Sequence, residues 1–419
     1  MKMASQTMAE KILSKSAGKE VHSGEYVWAS PDLIYIHDIL GPLTYDVYRQ
    51  MNKGKGLYTG KFVIVHDHIF PPKDIQSAEN VQQMKSFSAE LEAEFIKGGE
   101  GIEHTLLVER GIIKPGQLIL GGDSHTVTSG AVGAMGIGMG STDIAATLAL
   151  GRNWFMVPDT MKFVLSGEYP EFVTSKDIIL NILGKIGVNG ANYRTMEFHS
   201  GDGMKLSLDD RLSLSNMTVE AGAKAGICVP SDEIFQHYAD IGEEVERILP
   251  DTGAKYFSQL SLNVGDLEPQ VAMPYSPDNV VGVSEVKGIE LDQVYIGNCA
   301  NGTLSDLREA AEILKGNQVH RRVSLIVVPA TRNIYKKALD EGLIKILLDA
   351  GATIAPSTCG ACAGLHMGVL GKGEVALSNT NRNYRGRMGH PGSRVYLSGT
   401  YVCATSAIEG KISDPREFA

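Results

Sequence analysis

Cysteine is scarce, with five in 419 residues. An odd and small number excludes a disulfide framework and places the chain in a reducing, cytoplasmic setting. Positive charge is also in deficit: 39 Lys and Arg stand against 49 Asp and Glu, a net charge of -10. No field draws in a polyanion, so general nucleic-acid or anionic-membrane binding is excluded and any anion site must be local. Long hydrophobic runs are missing apart from Gly130 to Gly151, whose many glycines and Asp143 argue against a membrane span. The N-terminus, Met1 to Glu20, lacks the apolar stretch of a signal peptide. Its Met8, Ile12 and Leu13 recur at helical spacing and predict a first helix.

What remains is an ordinary globular composition, 43% hydrophobic and 21% charged, in a chain too long for one core. We expect α/β architecture in three units, residues 1–158, 159–280 and 281–419. Lys61 to Val65 reads as a buried strand that delivers Asp67 and His68 to its carboxyl end. A helix is predicted from about Ile75 to Ile96, on Val81, Met84, Phe87, Leu91 and Phe95, and a short one from Glu103 to Gly111. Leu118 to Leu120 predicts a strand running into Asp123, Ser124 and His125, again a polar cluster where a strand ends. The glycines from Gly133 to Gly140 lack the GxGxxG order of a dinucleotide site and suit close helix packing instead.

Further on, a strand over Lys162–Ser166 and a helix over Ser175–Ile186 are expected, capped by Thr174 or Ser175 with Asp177 near the positive end. Leu214 to Gly226 reads as one helix with Asn216 and Glu220 a turn apart. Pro269, Pro274 and Pro277 mark a linker. The last third alternates strand and helix: strands Gln293–Ile296, Val323–Val328 and Thr353–Ala355, a helix over Ser305–Leu314 capped by Ser305, and another from about Arg332 to Ala350. That order predicts a parallel sheet whose ligands lie beyond the strands' carboxyl ends, where Cys299 and the Cys359-Gly-Ala-Cys362 loop fall.

A CxxC pair alone suits a zinc site or a thioredoxin-like redox motif. Zinc needs a fourth ligand and thioredoxin chemistry a different context, whereas three thiolates from two loops of one sheet suit an iron-sulfur cluster with one iron left open. Arg382 and Arg387, interleaved with Asn381 and Asn383, could grip carboxylates. A carboxylate beside a histidine, as in Asp67-His68, tunes a proton donor near neutral pH, and Asp123 and His125 repeat the pairing. Cys228 and Cys403, in apolar surroundings, read as inert buried thiols. His66, His199, His366 and His390 receive no role.

Asp67-His68, Gly-Ile-Glu-His104, Gly-Gly-Asp123-Ser124-His125-Thr126, Asn216 with Glu220, Asn298-Cys299-Ala-Asn-Gly, Cys359-Gly-Ala-Cys362 and Asn381-Arg382-Asn383-Tyr-Arg-Gly-Arg387 occur in this order. Together they resemble the aconitase superfamily, and within it the stand-alone large subunits of the 3-isopropylmalate dehydratase and homoaconitase type, over essentially the whole chain. The resemblance implies α/β/α domains around a 4Fe-4S cluster held by Cys299, Cys359 and Cys362, with one open, labile iron. It implies that His68, oriented by Asp67, protonates a departing hydroxyl. His104, Asp123, His125, Asn216 and Glu220 would surround the open iron, Arg382 and Arg387 would bind substrate carboxylates, and Ser124 would lie close by. His37-Asp38 falls where aconitases carry a substrate-contacting glutamine, and a histidine there resembles the isopropylmalate and homoaconitate branch.

The implied activity is dehydration and rehydration of a hydroxy di- or tricarboxylic acid. Isopropylmalate comes first, then homocitrate or homoaconitate, then 2,3-dimethylmalate or citramalate; a non-enzymatic iron-sensing or scaffold relative is the other class. Full-length aconitases carry a further domain with a catalytic serine and another substrate arginine. The sequence ends soon after Ile408-Glu409-Gly410, so the base is expected on a separate small subunit. Asn298, Ala300 and Ala361 stand where the large subunits usually have Ser, Thr and Pro, a change expected to alter hydrogen bonding near the cluster.

Overall fold

The computed structural model describes residues 5–51 and 56–418. Its first helix is Met8–Ala17, capped by Thr7 and Glu10 in a reciprocal pair, and it buries Met8, Ile12 and Leu13. The first four residues of the predicted helical stretch lie outside the described ones.

Three main sheets, two parallel and one mixed, carry most of the described residues, beside a two-stranded antiparallel sheet of Tyr26–Ala29 and Asn153–Met156. The first has five strands in the order Glu94–Ile96, Lys61–Val65, Leu33–His37, Leu118–Gly121, Met135–Gly138. The second has four, ordered Ala225–Cys228, Thr195–Ser200, Thr160–Ser166, Ser258–Asn263. The third has seven: parallel strands Arg394–Ser398, Val375–Ser378, Gln293–Gly297, Ser324–Val328 and Thr353–Ile354, extended at one edge by antiparallel Gln270–Ala272 and Val280–Gly282. The central strands are apolar on both faces, as a sheet covered by helices on both sides requires. The carboxyl ends of the first and third sheets face one another across the candidate site. No helix among the described residues is long and apolar enough to cross a membrane.

Several sequence expectations need correction. The helix from Ile75 stops at Leu91, because Glu92 turns left-handed at φ 55° and frees Glu94–Ile96 to pair with Val63–Val65. Phe95, at a helical interval from Leu91, sits on an edge strand. Leu214–Gly226 is not one helix: a helix Leu208–Asn216 tightens into a 3₁₀ turn, Met217–Ala221, that Gly222 ends before strand Ala225–Cys228. The proline-marked linker is ordered edge sheet. Thr303, not Ser305, caps the helix Leu304–Leu314, its hydroxyl bonding the Asp306 amide. The long helix after Arg332 is two, Arg332–Asp340 and Leu343–Asp349, broken at left-handed Gly342. Thr174 and Asp177 cap Ser175–Ile186 as expected.

The glycine-rich stretch does pack closely on a helix, but as a strand. Met135–Gly138 is a strand lying under a 3₁₀ segment, Ser124–Val132. A methyl on Gly136 would sit 2.0 Å from the Thr126 carbonyl oxygen, and one on Gly130 only 1.6 Å from that of Gly226. Both obstacles are backbone, which cannot swing aside. Gly130→Ala should therefore cost about 3 kcal/mol or more, the upper end for overpacking. Urea denaturation checks this, and a loss below about 1 kcal/mol would contradict the close approach.

Candidate functional site

The Cys299 loop begins with two residues of left-handed backbone, Gly297 at φ 128° and Asn298 at φ 105°. A side chain at Gly297 would meet the Val328 carbonyl at 2.1 Å, so the strand can leave its sheet this way only with glycine. Asn298 holds the turn by accepting the Ala300 N–H on its side-chain oxygen (3.1 Å). Ala300 and Ala361 are fully buried behind the loops, whereas Asn298 lines the cavity.

The second cysteine loop is fastened to the first sheet. Thr358 donates from Oγ1 to the Asp67 carbonyl (2.8 Å), and the Cys359 N–H donates to the same oxygen (3.0 Å). His366 reaches the His68 carbonyl from Nε2 (3.2 Å), a contact the sequence did not announce. Asp38 is the other residue the sequence undervalued. Its carboxylate accepts the backbone N–H groups of Asp67, His68 and Ile69 at 3.0, 2.9 and 2.9 Å, fixing the turn that presents His68. Burial pushes its carboxyl up, but His68, His37 and those amides hold it below the usual range.

Between the loops lies a cavity of about 260 Å³ lined by His37, His68, His104, Asp123, His125, Asn298, the three cysteines Cys299, Cys359 and Cys362, and both Arg382 and Arg387. His68 is the charged member. Burial opposes its protonation, yet Asp67, bonded to Nδ1 at 2.8 Å, the Cys359 sulfur and Asp123, 3.6 Å from Nε2, raise it well above the ordinary histidine value. His37 stacks on it with ring centroids 3.8 Å apart. Both His37 nitrogens are occupied: Nδ1 accepts from Ile39 N–H (3.2 Å) and Nε2 meets the Gly122 carbonyl (3.1 Å). Burial and the His68 charge lower it to about 4, so it is neutral.

That depression has a stability consequence. A histidine neutral in the fold but protonated when unfolded contributes stability above its unfolded value of about 6.5, and the contribution is lost as pH falls through 6.5 toward 4. Its size is up to about 3 kcal/mol. His37→Phe, which keeps the stack, should flatten that part of the acid slope in denaturant titrations at pH 7 and pH 4.5; an unchanged slope would show that His37 is not buried neutral.

Asp123 is the hub of the remaining polar groups. His104 Nε2 lies 3.1 Å from its Oδ1 and His125 N–H donates to the same oxygen at 2.6 Å. Burial favours its acid form, but hydrogen bonds from His104, His125 and His68 hold it well below the carboxylate range. Glu220, on the 3₁₀ turn, meets His125 Nε2 at 3.3 Å and accepts from Arg382 Nε at 2.6 Å. Arg382 also donates from Nη2 to Ser124 Oγ (3.0 Å), leaving the rest of its guanidinium for a ligand. Glu220 stays ionised because His125 and Arg382 outweigh its burial.

The three sulfurs are buried and free, and the other two cysteines, Cys228 and Cys403, are buried away from the cavity. Asn216 donates to Cys299 Sγ at 3.2 Å and Asn381 at 3.7 Å, and Asn381 also hydrogen-bonds the Asn216 oxygen. Burial and Cys362 push the Cys299 thiol up to about 12, whereas the Cys359 hydrogen bond, against burial and with Arg387, holds Cys362 low. Arg387 Nε is buried without a hydrogen-bond partner among the described residues. Three thiols, amides aimed at sulfur and an orphaned guanidinium N–H fit a thiolate-bound metal cluster, whose cationic metal would favour the thiolates and whose net negative charge the amides and guanidinium would offset.

Behind the site, Lys176 is fully buried on helix Ser175–Ile186 and donates to the carbonyls of Asn379 (3.0 Å) and Thr380 (2.6 Å), fixing the backbone that leads into Asn381 and Arg382. Only its place within an apolar helix hinted at it.

The profile of the Aconitase family (aconitate hydratase) matches residues 10–288 and 284–410. The chain is 45% identical to the 3-isopropylmalate dehydratase large subunit 1 of Methanopyrus kandleri, over 98% of this chain and 99% of that one. It is 47% identical to the large subunit 1 of the same name from Pyrococcus furiosus, over 99% of both, and 47% identical to the 3-isopropylmalate dehydratase large subunit of Nautilia profundicola, over 98% and 99%.

Proposed function

The chain belongs to the aconitase family, and from that premise we propose that it is the large, cluster-bearing subunit of a hydro-lyase, with 3-isopropylmalate as substrate ahead of homoaconitate and smaller substituted malates. The observation that carries the reading is the meeting, in one cavity, of three buried sulfurs, a charged His68 and two arginines. Three main sheets support the division near residues 158 and 280, with strand Gln270–Ala272 reaching across the second boundary.

Cys299, Cys359 and Cys362 would hold the 4Fe-4S cluster, which when bound supplies an open, Lewis-acidic iron for the substrate's hydroxyl and carboxylate. His68 holds the proton for the departing hydroxyl, and Asp67 keeps its Nδ1 as donor and its Nε2 toward the cavity. His104, Asp123 and His125 form a fixed hydrogen-bonded wall, and Asn216 and Asn381 restrain the Cys299 sulfur. Arg382, braced by Glu220 and Ser124, and Arg387 bind the carboxylates. The large-subunit names of the relatives support a separate small subunit, and the general base would come from it, as a serine on its swivelling domain. The assembly works in the cytoplasm.

Anaerobic purification of the chain with its small subunit tests this. A brown preparation that interconverts 2- and 3-isopropylmalate is the expected result. A colourless, iron-free protein that dehydrates none of these acids would overturn it. An assay across the acids in order ranks the substrates.

A further inference from the structure

Lys176, in the first turn of helix Ser175–Ile186, is a buried charge that the dehydration steps do not use. A cation there is opposed by the helix dipole, and burial adds to the cost, so the fold keeps Lys176 against both. Its hydrogen bonds among the described residues go to the carbonyl oxygens of Asn379 and Thr380 and to Met217 Sδ, at 3.0, 2.6 and 3.0 Å, and none to a carboxylate. Three acceptors take three N–H groups, so the nitrogen is an ammonium. Burial lowers it to about 8, which leaves it charged at neutral pH.

The three acceptors belong to the two segments from which the site is built. Met217 opens the 3₁₀ turn that carries Glu220, directly after Asn216. Asn379 and Thr380 follow strand Val375–Ser378 and lead into Asn381 and Arg382. On the cavity side the same two segments meet twice, Asn216 with Asn381 and Glu220 with Arg382. The Asn379 side chain extends the connection to the first cysteine loop. It accepts the Gly297 N–H (2.7 Å) and donates to the Asn301 carbonyl (2.9 Å), one on each side of Cys299.

We propose that Lys176 is a positioning residue for the substrate clamp: by holding Asn379 and Thr380 against the Met217 turn from behind, it sets where the Arg382 guanidinium stands when a carboxylate arrives. The inference rests on the hydro-lyase reading and adds a residue to it. Lys176 is not among the residues that line the cavity, and it acts through Arg382. The Glu220–Arg382 pair alone cannot fix the register, because two long side chains stay paired at their ends while their backbones slide. A tie to the backbone behind the pair removes that freedom. Without the ammonium, two buried carbonyls lose a donor, and the segment shifts to find others.

Lys176→Met fills nearly the same volume with no donor. Hydrogen exchange of the full chain, measured by mass spectrometry before cluster loading, should then rise about tenfold in residues 216–221 and 379–387, with exchange elsewhere as in the wild type. In the enzyme reconstituted with its small subunit, kcat/KM should fall about 10²-fold, the effect of a misplacement of about 1 Å. Most of that loss should lie in KM, because the carboxylate is held both before and during the reaction. Combined with Arg382→Lys, the substitution should add less than about threefold, since a residue acting through Arg382 then has nothing left to position. Should Lys176→Met not fold, Met217→Leu removes one of the three acceptors at nearly constant volume and should raise exchange in the same two segments by a smaller factor. Exchange unchanged in both segments, or raised equally throughout the chain, would overturn the proposal, as would full additivity with Arg382→Lys. A wild type inactive on every acid would defeat the hydro-lyase reading, while the exchange data still decide whether Lys176 holds the two segments in place.

Discussion

Asp67→Asn lowers kcat by about 10³- to 10⁴-fold, with the cluster spectrum and KM little changed. The wild-type carboxylate accepts from His68 Nδ1 at 2.8 Å and from the Glu103 amide at 2.7 Å, both in a fully buried position. An asparagine amide fills the same space, but its NH₂ can face His68 only if Nδ1 becomes an acceptor, and its neutral oxygen no longer stabilises an imidazolium. The histidine then loses both the charge and the tautomer that a proton donor needs. An orienting aspartate removed in this way from a Ser-His-Asp triad costs about 10⁴ in kcat, and general acid catalysis as a whole is worth about 10² to 10⁴. Single-turnover kinetics with the reconstituted enzyme measures the effect. A loss below tenfold would mean that His68 is not the proton donor.

Arg382→Lys lowers kcat/KM by about 10³-fold while the cluster stays in place. The guanidinium does three things at once: Nε binds Glu220, Nη2 binds Ser124, and the remaining N–H groups face the cavity. A lysine ammonium is a single point and cannot hold both partners and a carboxylate in one plane. Two or more charge-assisted hydrogen bonds of about 1.5–3 kcal/mol each are at stake. Because the hydrogen bonds of Arg382 among the described residues go to Glu220 and Ser124 and none to a cysteine sulfur, the iron content and visible spectrum should match the wild type. Loss of cluster together with activity would instead assign Arg382 to holding the metal loop.

The site was more legible in the sequence than the fold that carries it. Asp67-His68, Asp123 to His125, and the cysteine and arginine loops all stand just beyond apolar strands, and in a parallel sheet that position faces the ligand crevice. The misread strands share a cause: local periodicity does not register long-range pairing. Phe95 sits at a helical interval from Leu91, yet the free edge of Val63–Val65 takes it as strand. Leu214 to Gly226 reads as a helix, yet its end must leave Ala225–Cys228 free to pair with Thr195–Phe198. The prolines from Pro269 look like a linker because proline cannot donate to a ladder, and they stand outside the strands, before Gln270–Ala272 and in the turn joining it to Val280–Gly282.

By itself, the sequence determined the residue types, their order and their placement at strand ends, because hydrophobic alternation and turn residues are local properties. That was enough to predict three sulfurs, a carboxylate–histidine pair and two arginines near one another. Only the tertiary structure decided what each group is in chemical terms. Asp38 becomes a brace because three amides converge on it, and His37 becomes neutral because both nitrogens are taken and a charged ring lies 3.8 Å away. Protonation states follow from solvent exclusion and from charges brought together from distant parts of the chain, as with Asp38 and His68 or Glu220 and Arg382, and no local pattern encodes those.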